Sequence, residues 1–279
     1  MEEFDSVLRF WLDRGAAGFR IDVAHGMVKQ QGLPDVVSND STMDGVDNNG
    51  SAPQADLPPH PFWGLDGVHE INRRWRKVLD EYQDRAMCAE AWVMPLSRMA
   101  TWVRPDEYHQ TFNFAFLKSQ WNRSELMAVV DESIAEFSHV GAPATWVLSN
   151  HDVIRHTTRL SYDKVPPQGD GIGPDYPQPD EALGLKRGRA ASAMMLGLPG
   201  GAYLYQGEEL GLPEHTMLEG SVRQDPTYFR TNGERVGRDG CRVPIPWESD
   251  QNAFGFSTTG KSWLPQPENF RNYARATQD

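Results

Sequence analysis

The sequence predicts an α/β fold built on a parallel β-sheet, and three observations support this prediction. Short apolar, strand-like segments alternate with segments of helical periodicity along most of the chain, which is typical of parallel sheets with right-handed crossovers. No GxGxxG follows the first strand, which disfavours an open dinucleotide-binding sheet. Polar residues stand at the carboxyl ends of four of the five predicted strands. A closed barrel would gather those ends around one mouth.

The predicted helices are stretches in which apolar residues recur at helical spacing. The first is the clearest, because Phe4, Leu8 and Trp11 fall on one face and Gly15 then ends the pattern. The remaining helices are predicted from the same periodicity. In chain order, helices are predicted over residues 2–13, 68–82, 96–103, 123–137 and 185–196.

The predicted strands are short apolar runs, among them AGFRIDV, AMCAEAWV, ATWVLS and GAYLY. They cover residues 17–23, 86–93, 108–116, 144–149 and 201–205. Two stretches rich in Gly, Pro and Asp, over residues 31–61 and 163–180, are predicted as loops. After Gly207 the alternation ends, and the chain continues as a segment rich in Pro, Gly, Arg and Trp.

The composition excludes several classes of protein. The 279 residues carry 27 basic and 39 acidic side chains, so the net charge is 27 − 39 = −12, and no run of Lys or Arg exceeds a pair. Such a chain repels phosphate backbones, so no nucleic-acid partner is expected. Cys88 and Cys241 are too few for a disulfide scaffold and form no CxxC motif.

No segment predicts a membrane helix or a leader peptide. The longest uncharged apolar stretch, over residues 190–204, is broken by Pro199 and three glycines, so it cannot cross about 30 Å of lipid as a helix. The first ten residues have neither a basic start nor an apolar core. We therefore expect no membrane partner, and a cytoplasmic location is the default expectation.

Two carboxylates at predicted strand ends have contrasting surroundings. Asp22 in GFRIDVAHG comes two residues after Arg20, so on a strand both side chains point to the same face. The arginine stabilises the negative charge that a nucleophile requires. Glu90 in CAEAW has apolar neighbours, which raise the pKa of a carboxyl group and keep it protonated, as a general acid requires.

A third carboxylate, Asp152, follows His151 in VLSNHD at the end of another apolar strand. Taken singly, each of these residues is more simply explained as a cap, a loop hydrogen bond or a satisfied polar group. Their corresponding positions in successive units favour a joint role, and the contrast between carboxylates is expected for glycosidic bond cleavage. A metal site is the competing joint interpretation, but no HxH, HExxH or DxDxDG spacing occurs.

Four short regions lie in order at the ends of predicted strands: GFRIDVAHG, CAEAW, VLSNHD and GLPGGAYLYQGEELGL. Together they resemble the α-amylase superfamily, glycoside hydrolase family thirteen. The stretch TNGERVGRDGCRVPIPW resembles more narrowly the α-glucosidase and oligo-1,6-glucosidase branch. This resemblance implies part of a (β/α)8 TIM barrel, approximately strands four to eight, with a long loop-rich C-terminal segment.

The resemblance also implies a role for each matching residue. The catalytic residues would be Asp22 as nucleophile, Glu90 as acid/base, and Asp152 as the group that holds sugar hydroxyls in the transition state. The substrate-binding residues would be Arg20, which holds Asp22, His151 in the first sugar subsite, and Arg155, which helps to close the pocket. The implied reaction is retaining hydrolysis of terminal α-1,4 or α-1,6 glucosidic bonds of oligosaccharides, without a cofactor or metal ion.

The sequence departs from the family pattern in lacking one region. Family members carry an Asp followed by Asn-His earlier in the barrel, and no DxxxNH occurs here. The resemblance therefore implies a fragment, with residues 1–206 as the C-terminal part of a catalytic barrel and residues 207–279 as a loop-rich segment of the same domain. We expect two unpaired parallel edges to impair such a piece as an isolated enzyme.

Three functions remain open on these residues. The first is an α-glucosidase acting on α-glucosidic oligosaccharides, and the second is a transglycosylase or trehalose-forming isomerase that uses the same carboxylates. The third is a non-catalytic sugar-binding fragment. His25 and Gly26 stand where family amylases often carry Lys-His, which fits a short pocket. Val23 resembles the α-1,6 branch but does not fix the linkage, and the sequence leaves the oligomeric state open.

Overall fold

The computed structural model describes residues 1–35, 60–164 and 168–278, and it confirms the predicted α/β class. Five strands form one parallel sheet in the order β1-β2-β3-β4-β5, so neighbours in the sheet follow one another in the chain. The strands are β1 (Gly18–Ile21), β2 (Ala86–Ala89), β3 (Gln110–Asn113), β4 (Thr145–Val147) and β5 (Gly201–Tyr203). Most of the predicted loop over residues 31–61 lies outside the described residues.

Helices occupy the connections between the strands and part of the C-terminal segment. They are α1 (Glu2–Leu12), α2 (Val68–Leu79), α3 (Leu96–Ala100), α4 (Phe114–Lys118), α5 (Arg123–His139), α6 (His156–Arg159), α7 (Glu181–Gly197) and α8 (Pro226–Arg230). Among the residues that the structure describes, no helix combines the length and the apolar character needed to cross a membrane.

The strands are shorter than the apolar runs that predicted them, and β3 shows why. The run over residues 108–116 was expected to be one strand, but the strand ends at Asn113 and α4 begins at Phe114. The Asn113 side chain accepts a hydrogen bond from the Phe116 N–H at 3.0 Å, which satisfies a backbone donor of the first helical turn. The short helix α6 was not predicted.

Helix α7 is longer than its apolar pattern. It begins at Glu181, four residues before the predicted start, because the Asp180 side chain accepts a hydrogen bond from the Leu183 N–H at 2.9 Å. An aspartate at this position is a strong helix-starting residue. The cap therefore starts the helix directly after the predicted loop over residues 163–180, at four residues to which no element was assigned.

The register between β1 and β2 positions the predicted site residues. The pairing runs without a break from Gly18 opposite Ala86 to Ile21 opposite Ala89. The next residues along the two strands are Asp22 and Glu90, so both carboxyl groups leave the sheet at the same level. This register brings together two residues that are far apart in the sequence.

The chain divides into two compact units. The first consists of Met1–Phe116, Met127–Trp146 and Pro199–Gly201, and the second of Leu117–Leu126, Val147–Leu198 and Ala202–Asp279. In the first unit, the buried apolar residues include Leu8, Leu12, Trp75, Leu79, Met87, Met99 and Trp102. The second unit buries a cluster drawn mainly from the C-terminal segment: Leu210, Leu212, Leu218, Val243, Ile245, Phe254, Leu264, Phe270 and Tyr273.

Gly18 generates a testable prediction about the β1–β2 pairing. A Cβ atom at Gly18 would lie 2.0 Å from the Ala86 carbonyl oxygen, far inside van der Waals contact. We expect Gly18→Ala to lower the free energy of unfolding by about 1–3 kcal/mol, because the two strands must separate. Urea unfolding followed by tryptophan fluorescence measures this change.

The matched control is Gly197→Ala, at the end of α7. A Cβ atom at Gly197 would have nothing within 4 Å, so this variant should be as stable as the parent chain or slightly more stable. Equal unfolding midpoints for Gly18→Ala and the parent chain would contradict the close strand approach.

Candidate active site

Asp22 lies just beyond the end of β1 and is held by Arg20. The Arg20 guanidinium donates a hydrogen bond to the Asp22 carboxylate at 2.6 Å, and the Asp22 side chain is 71% exposed. The two side chains therefore share a face, as the spacing predicted. A carboxylate with one oxygen held by arginine, in an exposed position, is suited to attack an electrophilic carbon.

The backbone turns sharply after Asp22. Val23 has φ 44° and ψ 41°, in the left-handed region, which is unusual for a β-branched residue. This conformation directs the Val23 N–H toward Glu90, whose carboxylate oxygen accepts its hydrogen bond at 2.7 Å. The residue after the predicted nucleophile thus contacts the predicted acid/base directly.

Glu90 is buried, with 8% of its surface exposed, and lies between Ala89 and Ala91, which are fully buried. Burial raises the pKa of Glu90, because desolvation disfavours the charged carboxylate, and Asp22 adds a smaller effect in the same direction. The Val23 N–H and Arg20 oppose this shift but do not cancel it. The raised pKa predicted from the apolar neighbours is confirmed.

Aromatic residues lie around the ends of β2 and β3. The rings of Trp92 and Phe114 stack with centroids 3.8 Å apart and planes at 13°, and Phe112 contacts Phe114 at 5.9 Å. Trp63 lies against His25 with ring centroids 5.2 Å apart. These rings pack on one another, as expected for side chains that shape a site by filling space.

In the second unit, Asp152 is bound by three cationic or potentially cationic side chains. Its carboxylate lies 2.7 Å from Arg238, 3.0 Å from Arg242 and 3.1 Å from the His151 ring. Arg242 also donates to the His151 carbonyl at 2.8 Å. The structure therefore brings the His151 ring and the Asp152 carboxylate into contact.

Arg155 lies in the same unit and is buried, with 2% of its surface exposed. Its guanidinium donates to the carbonyl oxygens of Gln206 at 2.7 Å and Cys241 at 2.9 Å. It also lies over the Tyr205 ring, 4.9 Å from the centroid. These contacts tie separate loops to one another, and its predicted part in closing a sugar pocket stays a prediction.

Sequence reasoning missed Arg238 and Arg242, although both lie in the stretch that resembles α-glucosidases. Arg238 bridges Asp152 to Asp225, whose carboxylate it contacts at 2.7 Å. Burial alone would raise the pKa of Asp225, but hydrogen bonds from Arg238 and from the Thr227 N–H hold it well below its ordinary value. The signal available in the sequence was the pair of arginines in GRDGCR.

Glu208, which follows the fifth strand, differs from Asp22 and Asp152 in being almost fully buried. This burial raises its pKa to about 7. One carboxylate oxygen accepts the Tyr205 N–H at 2.9 Å, and the other lies 3.6 Å from the His156 ring. Across the described residues, no group of three or more His, Cys, Asp or Glu side chains is arranged to hold a metal ion.

A parallel α/β sheet with paired carboxyl groups of contrasting environment at its carboxyl edge is typical of glycoside hydrolases. The chain belongs to the α-amylase family, because the family model described as "Alpha amylase, catalytic domain" matches residues 1–279. The family predicted from the four motifs is thereby confirmed.

Curated relatives are named for glucosidase and related activities. The chain is 27% identical to the alpha-glucosidase of Apis mellifera, over 100% of the chain and 44% of that protein. It is 30% identical to the probable alpha-glucosidase of Rhizobium meliloti strain 1021, over 98% of the chain and 47% of that protein. The chain therefore spans less than half the length of these relatives.

Solved structures support the fold. The α-glucosyl transfer enzyme XgtA is 26% identical with a TM-score of 0.75, over 99% of this chain and 48% of that one. An isomaltulose synthase variant from Erwinia rhapontici NX5, in complex with sucrose, has a TM-score of 0.71 at 19% identity, over 99% and 49%. These likenesses confirm the prediction of part of a TIM barrel.

The raised pKa of Glu208 generates a prediction about stability. The folded chain binds this proton up to about pH 7, whereas the unfolded chain releases it near the ordinary value of 4.5. The contribution of the proton to stability is therefore complete below pH 4.5 and is lost as pH rises through about 7. Glu208→Gln resembles the protonated form and lacks this loss.

We therefore expect the melting temperature of Glu208→Gln, relative to the parent chain, to rise between about pH 5 and about pH 8. Scanning calorimetry across this range measures the difference. Glu209→Gln is the control, since Glu209 is the exposed neighbour, and its difference should stay flat. A flat difference for Glu208→Gln would show that this carboxyl group titrates normally.

Proposed function

We propose that the chain carries catalytic residues of a retaining α-glucosidase that acts on terminal α-1,4 or α-1,6 bonds of α-glucosidic oligosaccharides. The observation that supports this function is the pairing of an exposed, arginine-held Asp22 with a buried Glu90 whose pKa is raised. The two groups are joined through the Val23 N–H. Retaining glycosidases require one ionised and one protonated carboxyl group at adjacent positions.

In the first step of the proposed reaction, a carboxylate oxygen of Asp22 attacks the anomeric carbon of the terminal glucose. The bond to the leaving oxygen breaks, and Glu90 donates its proton to that oxygen. In the second step, Glu90 as carboxylate takes a proton from water, whose oxygen attacks the anomeric carbon and releases Asp22. Two inversions leave the configuration unchanged, and Glu90 ends protonated.

Two further residues are proposed to bind sugar hydroxyls. Asp152 is proposed to hold hydroxyl groups in the transition state, and His151 to bind hydroxyls of the first sugar. The contacts of Asp152 with Arg238 and Arg242 support the proposal, because they hold its carboxylate in one orientation. Arg155 would act on the pocket indirectly, through the loops that it joins.

A glucosyl-transferring enzyme is the second candidate. The observations in its favour are the structural likeness to XgtA, titled an alpha-glucosyl transfer enzyme, and the likeness to proteins named trehalose synthase/amylase. The TreS of Mycolicibacterium smegmatis is 27% identical, over 93% of the chain and 40% of that protein. Incubation with maltose separates the candidates, because hydrolysis releases free glucose and isomerisation yields a rearranged disaccharide.

The nucleophilic role of Asp22 is tested by Asp22→Asn. We expect turnover to fall on the order of 10⁴-fold, because a neutral amide cannot form the glucosyl ester. Glucose release from maltose and isomaltose measures this loss, and an unchanged unfolding midpoint shows an intact fold. The control is Asp131→Asn on the exposed face of α5, which should keep full activity. Near-normal hydrolysis by Asp22→Asn would exclude the nucleophilic role.

The acid role of Glu90 is tested by Glu90→Gln on two substrates. Loss of a general acid costs about 10²–10⁴-fold, and we expect the full loss with maltose, whose leaving group needs a proton. A nitrophenyl α-glucoside should lose much less in its first step, because nitrophenolate leaves without one. The measurement is the pre-steady-state burst of nitrophenolate, with the exposed Glu132→Gln as control. Equal losses of the first step on both substrates would rule out the acid role.

A further inference from the structure

His25 is a buried ring that contacts the backbone next to Glu90, and none of the roles above uses it. It lies in a short 3-10 turn over Ala24–Gly26, three residues after Asp22, and 5% of its surface is exposed. Its environment belongs entirely to the first unit. A polar side chain this deeply buried needs hydrogen-bond partners, and these show what it holds.

The polar contacts of His25 lie along the backbone that directly follows Glu90. Its Nδ1 accepts a hydrogen bond from the Trp92 N–H at 3.4 Å, and the backbone of Glu90 lies close enough to the ring to favour its protonated form. The Glu90 carbonyl accepts the Ala24 N–H at 2.9 Å. His25 therefore links the turn after Asp22 to the backbone between Glu90 and Trp92.

The ionisation state of His25 matches these contacts. Burial lowers its pKa to about 4, and Lys29 contributes in the same direction. A neutral imidazole keeps one acceptor nitrogen, which is the function that the Trp92 N–H requires. The other charges that act on the Glu90 carboxyl group are Arg20 and Asp22.

Packing fixes the ring and the turn that carries it. The His25 ring lies against Trp63, and a Cβ atom at Gly26 would be 2.4 Å from the Trp63 ring, so the indole occupies that space. The His25 carbonyl accepts the Gly64 N–H at 2.7 Å. With its backbone and ring both held, His25 can act as a rigid support.

We propose that His25 is a positioning residue, which holds the peptide groups around Glu90 and so fixes the carboxyl group relative to Asp22. The inference rests on the proposed function, since it concerns the reaction of the same two carboxyl groups. His25 acts only through Glu90, because its polar contacts are with backbone groups. A displacement of about 1 Å in such a group can cost up to 10²-fold in rate.

The test variant is His25→Phe, which keeps a ring against Trp63 and removes both hydrogen-bonding nitrogens. The unsatisfied peptide groups should admit water to the end of β2, and this reduces the desolvation of Glu90. We expect the pKa of Glu90 to fall toward its ordinary value. We also expect kcat to fall about tenfold or more while KM changes by less than about twofold.

Two further variants separate positioning from stability. His25→Gln offers a carboxamide donor and acceptor and should recover most of the lost kcat. His109→Phe is the matched control, because His109 Nδ1 accepts the Met87 N–H at 3.1 Å near the other end of β2. This control removes the same kind of contact from the same strand and should leave both kcat and the Glu90 titration unchanged.

The Glu90 titration is measured by NMR of the full chain with ¹³C-labelled glutamate carboxyl groups, and the Glu90 signal is the one absent from Glu90→Gln. If the titration is the same in His25→Phe, His109→Phe and the parent chain, the positioning role is overturned, whatever the activity. If the titration moves only in His25→Phe but the parent chain turns over no glucoside, the proposed function fails and the hold of His25 on Glu90 stands.

Discussion

The parallel register between β1 and β2 is the constraint on which the candidate site depends. Because Ile21 lies opposite Ala89, the two strands end together and Asp22 and Glu90 are the first residues beyond them. A shift of one residue would turn the side chains of one strand to the other face. The short β1–β2 pairing thus places the carboxyl groups of Asp22 and Glu90 at the same end of neighbouring strands. The proposed acid and nucleophile roles depend on that placement.

The two carboxyl groups differ in their exposure to solvent, and this difference comes from burial rather than from their positions at the strand ends. Asp22 projects into an exposed position beside an arginine, whereas Glu90 is buried and contacts the turn that follows Asp22. The same turn supplies the Val23 N–H, which contacts the Glu90 carboxylate without compensating fully for its desolvation. One backbone segment therefore gives one acid an exposed setting and the other an apolar one.

Much of the fold could be predicted from the sequence, because apolar periodicity records which faces are buried. Element ends were less predictable, since they depend on single caps such as Asn113 and Asp180. The spacing of Arg20 and Asp22 and the apolar neighbours of Glu90 are local signals, and they correctly predicted the Arg20–Asp22 contact and the burial of Glu90. Arg238 contacts Asp152 from 86 residues further along the chain, and no local pattern contains such a pairing.

The left-handed backbone at Val23 lowers the stability of the folded chain but positions the Val23 N–H against Glu90. A branched side chain in that region stores about 1–3 kcal/mol of strain, which a glycine would release. Selection for heat resistance alone would therefore favour glycine there. A glycine would hold the amide less firmly against Glu90. We therefore expect the gain in stability to come with a lower rate of the proposed reaction. Variants of higher melting temperature that keep Val23 must therefore gain their stability from substitutions at other positions.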